Sequence, residues 1–298
     1  MFNEPVKLET VPGRSVFLLS LFCFTALWFS VAARAAAPNG QMSSPAQLSA
    51  TEAQALVQRA LATELRAARD TSHPMRFRLR KSSPRLTTVK QIVETRDGAV
   101  ARLVSQFDKP LSAPDEQKEQ ARLDLLLSDP GRQLHRKQSE DEDLGVVLKL
   151  LRMLPKAFVY QDAGMGQGPG GPVHKFTFRP DPRFDPPDME TQALTAMSGE
   201  LWIDVGQERV TRLEGHLQQD TDYAWGILGK LNKGGWIVME QADMGGHQWR
   251  IARFQINMSL RILFKLKSFD TVEEMSQYQA VPPGIGYRQA IQMLRTTP

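Results

Sequence analysis

The sequence has little cysteine and little net charge, and each shortage excludes a class of protein. Its 298 residues contain a single Cys, which rules out an internal disulfide framework and a cysteine-rich zinc site. Lysine and arginine number 37 against 33 aspartate and glutamate, and a net charge of +4 makes no case for nucleic-acid binding. A chain with 41% hydrophobic and 23% charged residues is typical of a globular protein, not a disordered one.

Familiar catalytic motifs are also missing. The chain has no G-x-S-x-G elbow, no H-E-x-x-H pair and no P-loop, and its five histidines are dispersed. We therefore predict a protein that is not an enzyme and needs no cofactor or metal. The enzymatic alternative would require Arg212, Glu214 and His216 to converge on a pocket.

The one long apolar run, Val16 to Val31, lies near the N-terminus and contains Cys23. Basic residues precede it, and small residues with A-x-A spacing follow, a pattern typical of a secretory signal peptide. We predict a signal peptide over 1–35 that is cleaved after Ala35. The alternative is an uncleaved anchor, for which 16 residues are few, because the hydrocarbon core is about 30 Å thick.

The rest of the chain is predicted to form a linker over 36–48 and a single domain over 49–298. Apolar and polar side chains alternate through much of this domain, which predicts strands with one apolar face. Short connections make the strands antiparallel. The first predicted strand starts at Met75. The other predicted strands cover about 86–95, 99–107, 158–163, 173–178, 199–205, 208–217, 236–244, 248–258 and 260–269.

Helical spacing of apolar residues predicts four short helices. They cover 49 to before His73, about 114–128, 144–154 and 287–294. The third is expected to begin at the acidic run 140–143 and to stop at Pro155. The segment Gly164–Pro172 matches G-x-G-x-x-G literally, but a strand follows it, so we interpret it as a loop.

A large sheet with one apolar face must cover that face. The sequence therefore predicts an α+β fold, a curved antiparallel sheet that forms an unclosed half-barrel around a few short helices. Such a fold either encloses an apolar cavity or has a solid core. The alternation alone leaves both readings open.

Four segments of the C-terminal half carry a family resemblance: Gly199–Asp204, Arg209–Gly215, Trp225–Gly235 and Leu263–Lys265. They resemble the outer-membrane lipoprotein-sorting (LolA/LolB-like) superfamily of exported bacterial proteins. The resemblance implies a half-barrel with a helical lid over a cavity that accepts acyl chains. It also implies a periplasmic location, and the chain has no lipidating cysteine after its apolar run.

On this basis we predict a monomeric periplasmic protein that binds a lipid or an acylated ligand. Arg76, Arg78 and Arg80 form a basic strand face that would meet lipid head groups or a partner protein. The predicted cavity lining consists of Phe77, Leu79, Leu148, Leu151, Leu201, Ile203, Leu213, Phe254, Ile256, Ile262 and Phe264.

The alternative function is a structural or interaction module of the cell envelope with a packed core. Such a module would dock on an envelope protein through the same basic strand and through exposed Trp202, Trp225 or Trp236. A solvated strand face that discourages aggregation is a simpler interpretation of the basic residues.

Overall fold

The computed structural model describes residues 47–223, 229–262 and 265–296. The predicted signal peptide and nearly all of the predicted linker lie outside these residues, as do Trp225 and Phe264. The position of Ile262 at the end of a strand is described, but its side chain is not.

The described residues form five helices and thirteen strands. The helices are α1 (Ala50–Ala67), α2 (Ala113–Ser128), α3 (Pro130–Ala157), α4 (Met189–Gln192) and α5 (Tyr287–Thr296). The strands are β1 (Met75–Ser82), β2 (Thr87–Val93), β3 (Val100–Gln106), β4 (Lys109–Pro110), β5 (Phe158–Gly168), β6 (Gly171–Pro180), β7 (Met197–Asp204), β8 (Val210–Leu217), β9 (Thr221–Tyr223), β10 (Gly229–Leu231), β11 (Trp236–Asp243), β12 (Trp249–Ile262) and β13 (Lys265–Ala280).

All thirteen strands belong to one antiparallel sheet. Its main path runs β4-β3-β2-β1-β13-β12-β11-β8-β7-β6-β5, and β10 extends it by pairing with β12 and β9. The path ends at β4 on one side and at β5 on the other, so the sheet does not close on itself. The predicted α+β fold with an unclosed antiparallel half-barrel is confirmed.

Two strand predictions are wrong. The segment Gly164–Pro172 is not a loop, because β5 and β6 continue through it as a hairpin in which Gly168 pairs with Gly171. Backbone hydrogen bonds form this ladder, so the missing side chains do not prevent it. The strand predicted over 260–269 is divided between β12 and β13, and β13 continues to Ala280.

The prediction for the third helix is also wrong at both ends. α3 begins at Pro130, and the Asp129 side chain caps it by accepting from the Gly131 N–H at 3.1 Å. Proline is favoured at a first helical position because its missing N–H would have no partner there. The acidic run 140–143 therefore lies inside the helix, and Pro155 falls in its last turn.

The sheet has an inner face, which carries Leu201, Leu213 and Phe254, and an opposite outer face. α1 begins with the predicted capping box of Ser49 and Glu52 and packs on the inner face. Its apolar side joins side chains of β5–β8 and the end of α3 in a buried cluster. The members of this cluster include Leu56, Val57, Leu61, Leu154, Phe158, Tyr160, Phe176, Leu201 and Ile203.

α5 covers the outer face at the other end of the sheet, so the helices do not all lie on one side. Val93 pairs with both Arg76 and Val100, and these three residues therefore share a face. Val93 and Val100 are buried against Ile291 and Leu294 of α5. The expectation that every helix covers the inner face is wrong for α5.

α3 reaches from one end of the sheet to the other. Near its start, the Gln133 amide donates to the carbonyls of Asp97 and Gly98, in the turn between β2 and β3. Near its end, the Leu154 carbonyl accepts from the Tyr160 hydroxyl on β5 at 3.0 Å. With 28 residues, α3 is about 42 Å long, enough to connect the two sides of the open sheet.

Candidate functional site

The inner face carries a continuous row of side chains across seven strands, which we call the inner row. Each member is directly opposite the next in the strand register. The row is apolar for its first five members and charged for its last two. Its members are Phe176, Leu201, Leu213, Met239, Phe254, Glu273 and Lys81.

The first two members of the inner row are inaccessible. Phe176 is 0% exposed and Leu201 is 1% exposed, because α1 lies over them. Ile203, another predicted lining residue, is buried in the same cluster. Ile256 is buried in a second inner-face cluster together with Leu217, Leu231 and Met258.

The other predicted lining residues whose side chains the structure describes are only half-buried. Leu213 and Phe254 lie at the centre of the inner face, between the two buried clusters. Phe77 stacks on Tyr278 with ring centroids 5.0 Å apart, and Leu79 is opposite Met275. The two predicted lining residues on α3, Leu148 and Leu151, are also half-buried.

Several inner-face residues are not among the predicted lining residues. Met239 falls in a predicted strand at the alternating position, so the period of two could have identified it. Glu273 and Lys81 are charged, and their place in an otherwise apolar row depends on the pairing of β1 with β13. Lys81 Nζ donates to Glu273 at 2.6 Å, and the carboxylate is buried.

The basic strand residues lie on the outer face, where polar or charged side chains bond to two of them. Arg80 bonds to Asp108 and Glu274, and these carboxylates raise the pKa of its guanidinium, Asp108 more than Glu274. Arg76 Nε donates to the Gln279 side chain at 2.8 Å. Arg78, which lies between Arg76 and Arg80 in the sequence, is half-buried.

The tryptophans proposed as docking residues are partly covered. Trp202 lies between two cations, with Lys175 Nζ 4.1 Å and Arg212 Cζ 5.5 Å from its ring centroid. Its indole N–H donates to Glu200. Trp236 packs against the cluster that contains Ile256. Both rings are therefore engaged within the chain.

Arg212, Glu214 and His216 do come together, but on the outer face. Arg212 bonds to Glu214 at 2.5 Å and to Glu240, and His216 Nε2 lies 2.9 Å from Glu214. Partial burial would raise the pKa of Glu214, but hydrogen bonds from Arg212 and His216 outweigh it and lower that pKa. A lowered pKa makes the carboxylate a weaker base, and none of the three residues lines either surface pocket described next.

Two surface pockets lie away from the inner row. One, of about 350 Å³, lies beside α1 and includes Arg59, His174 and Asp204. The other, of about 610 Å³, lies between the end of α3 and the segment 181–187. Neither pocket includes a predicted lining residue.

The described part of the chain offers no metal site, since no three His, Cys, Asp or Glu side chains within it are arranged to hold an ion. Within the same ranges, no helix has the length and apolar character needed to cross a membrane.

The fold and the inner row together define an open α+β half-barrel with an amphipathic inner face. No protein-family model and no curated protein matches the chain. A solved domain from Vibrio parahaemolyticus, described as outer membrane lipoprotein-sorting, matches 79% of this chain and 99% of its own, with 10% identity and a TM-score of 0.29. A DUF1329 family protein from Desulfovibrio piger matches over 76% of this chain and 92% of its own length, with 10% identity and a TM-score of 0.25. At such low scores these likenesses carry no weight beyond the residues themselves.

Proposed function

We propose that this chain is an exported periplasmic protein that binds a lipid or an acylated ligand on its inner face and carries it without chemical change. The supporting observation is the half-buried state of Leu213, Met239 and Phe254 at the centre of that face. A solid core would bury such residues, whereas a contiguous accessible apolar surface is typical of a binding site.

The long helix α3 is the proposed lid. Its two ends bond near opposite ends of the sheet, which supports a position of its middle across the open side of the half-barrel. Leu148 and Leu151 would then face a ligand from above, while Phe77 and Leu79 would extend the site along β1. Each methylene that moves from water into this space contributes about 0.8 kcal/mol.

One feature supports a periplasmic location, and a second supports carriage without catalysis. The apolar run before Ala35 has the pattern of an export signal. The acid and base groups that could form a catalytic set, Arg212, Glu214 and His216, are joined in ion pairs on the outer face.

The test combines recovery of the natural ligand with a binding assay. Protein purified from membranes under mild conditions should release a lipid that mass spectrometry detects, and delipidated protein should take up a fluorescent fatty-acid ester. Phe254→Glu should abolish uptake, because it places a charge in the apolar part of the inner row. Gln255→Glu, one residue away on the outer face and beside the Arg253 guanidinium, is the matched control and should bind normally.

The proposal fails if no lipid co-purifies and the delipidated protein takes up no acyl probe. Equal uptake by the Phe254→Glu protein and the wild type would contradict the location on the inner face. Capture of an envelope protein that is lost on Arg78→Glu, without any lipid binding, would instead support the interaction module.

A further inference from the structure

The inner row changes from apolar to charged as it crosses from β12 to β13. Phe254 is directly opposite Glu273, and Glu273 is opposite Lys81 on β1. A ligand lying along the row would therefore meet apolar side chains over β8, β11 and β12 and charged groups beyond them.

Lys90 lies at this charged end, also on the inner face. Its register partners are Leu79 on β1 and Leu103 on β3. The Lys90 side chain is exposed, and it forms no hydrogen bond or ion pair with any residue that the structure describes. Burial by the surrounding protein nevertheless lowers its pKa, so the ammonium is accessible to solvent but surrounded by protein on several sides.

The other cations at this end already have partners. Lys81 donates to Glu273 at 2.6 Å, and Arg122 donates to Glu119 at 2.7 Å. Arg136 donates to the Ala99 carbonyl at 3.2 Å and lies close enough to Glu140 to interact with its charge.

Lys90 is thus the uncompensated charge of the group. Arg122, Arg136 and Lys81 repel its ammonium, and this repulsion exceeds the attraction of Glu119. An anion beside Lys90 would relieve that repulsion and would gain a charge-assisted hydrogen bond.

We propose that the ligand of the inner face is an acyl chain that ends in a carboxylate, with the carboxylate at Lys90 and the chain along Phe254, Met239 and Leu213. This inference rests on the proposed function, because it assigns a head group to the same site. A single surplus positive charge matches the single negative charge of a fatty acid.

The experiment compares two ligands that differ only in the head group. Palmitate and cetyl alcohol each displace a neutral fluorescent acyl ester from the delipidated full-length protein. The wild type should bind palmitate about tenfold more tightly, as expected for one charge-assisted hydrogen bond. Lys90→Gln should remove this preference and leave the affinity for cetyl alcohol unchanged.

Lys109→Gln is the matched control, because it removes the same charge from an exposed residue of β4. It should retain the full preference for palmitate. Equal binding of the two ligands by the wild type overturns the head-group inference but leaves the proposed function standing. A preference that persists in Lys90→Gln overturns the role of Lys90, and binding of neither ligand overturns the proposed function itself.

Discussion

Arg209 Nε donates to Glu64 Oε1 over 2.7 Å, and this buried ion pair ties the end of α1 to the start of β8. The same carboxylate accepts from the Val210 N–H and from the Gln241 amide. Both oxygens of Glu64 are therefore satisfied, as a buried charge requires. The network fixes α1 over β8 and β11, beside the inner row.

Loss of one member of this pair should destabilise the fold strongly. Glu64→Gln leaves the Arg209 guanidinium buried without a counter-charge, and we expect a loss of about 3–5 kcal/mol in the free energy of unfolding by urea. Arg59→Gln, which breaks the exposed pair with Glu208, should cost much less, because solvent screens that pair. Similar losses in the two variants would show that the Glu64 network contributes little.

Two glycine-to-alanine substitutions should act in opposite directions. A Cβ atom at Gly199 on β7 would collide with the Glu214 carbonyl oxygen on β8, whereas one at Gly145 in α3 meets no atom within 4 Å. Gly199→Ala should lower the free energy of unfolding by about 3 kcal/mol. Gly145→Ala should raise it by about 0.5–1 kcal/mol, because glycine weakens a helix interior. Thermal unfolding of both variants checks the signs, and a destabilised Gly145→Ala protein would contradict the prediction.

The edge of the sheet beyond β3 is protected by side chains of α2. Glu119 accepts from the Leu103 N–H at 2.8 Å, and Arg122 donates to the Ala101 carbonyl. Glu119→Ala should cost about 1–3 kcal/mol through the unsatisfied N–H, and it should promote association through the open edge. Size-exclusion chromatography and urea unfolding measure both effects. Glu142→Ala, at an exposed position of α3, should change neither.

Acid should loosen the contact between α3 and α4. Partial burial would raise the pKa of Asp188, but hydrogen bonds from Lys149 and Thr191 outweigh it and lower that pKa from 3.8 to about 2. The lowered pKa means that Asp188 stabilises the fold above about pH 4, and that this contribution is lost as the pH falls from about 4 to about 2.

Asp188→Asn tests this dependence, because asparagine still caps a helix but carries no charge. At pH 7 the variant should unfold at a lower urea concentration, with a loss of at most about 1 kcal/mol. At pH 2 the difference between the two midpoints should be much smaller, because a large part of the wild-type carboxylate is then protonated. Asp185→Asn, an exposed neighbour, should behave as the wild type at both pH values, and a difference that persists at pH 2 would argue against the carboxylate.

Local patterns predicted many elements of this chain but few of their long-range contacts. The capping box at Ser49 and the turn at Gly98, whose φ of 91° favours glycine, are decided within a few residues. The start of α3 depends equally on a local signal, Asp129 before Pro130, but the same residues follow the predicted helix over about 114–128 and also end α2.

The candidate site was predicted in part. Alternation places Leu201, Leu213 and Phe254 on one face, because the side-chain period of a strand is two whatever the partner strand. Alternation does not show that α1 buries Leu201 while Phe254 stays accessible, since that depends on where the helices pack.

By itself, therefore, the sequence determined the shortage of cysteine, the export signal pattern and the two-sided character of each strand, all of which are local properties. The tertiary structure alone decided that β1 pairs with β13, which joins Lys81 to Glu273 across 192 positions. It also decided that Lys90 lies on the apolar side of the sheet, with no hydrogen bond or ion pair to the residues that the structure describes. Pairing between distant strands follows from the packing of the whole sheet, and no short segment encodes it.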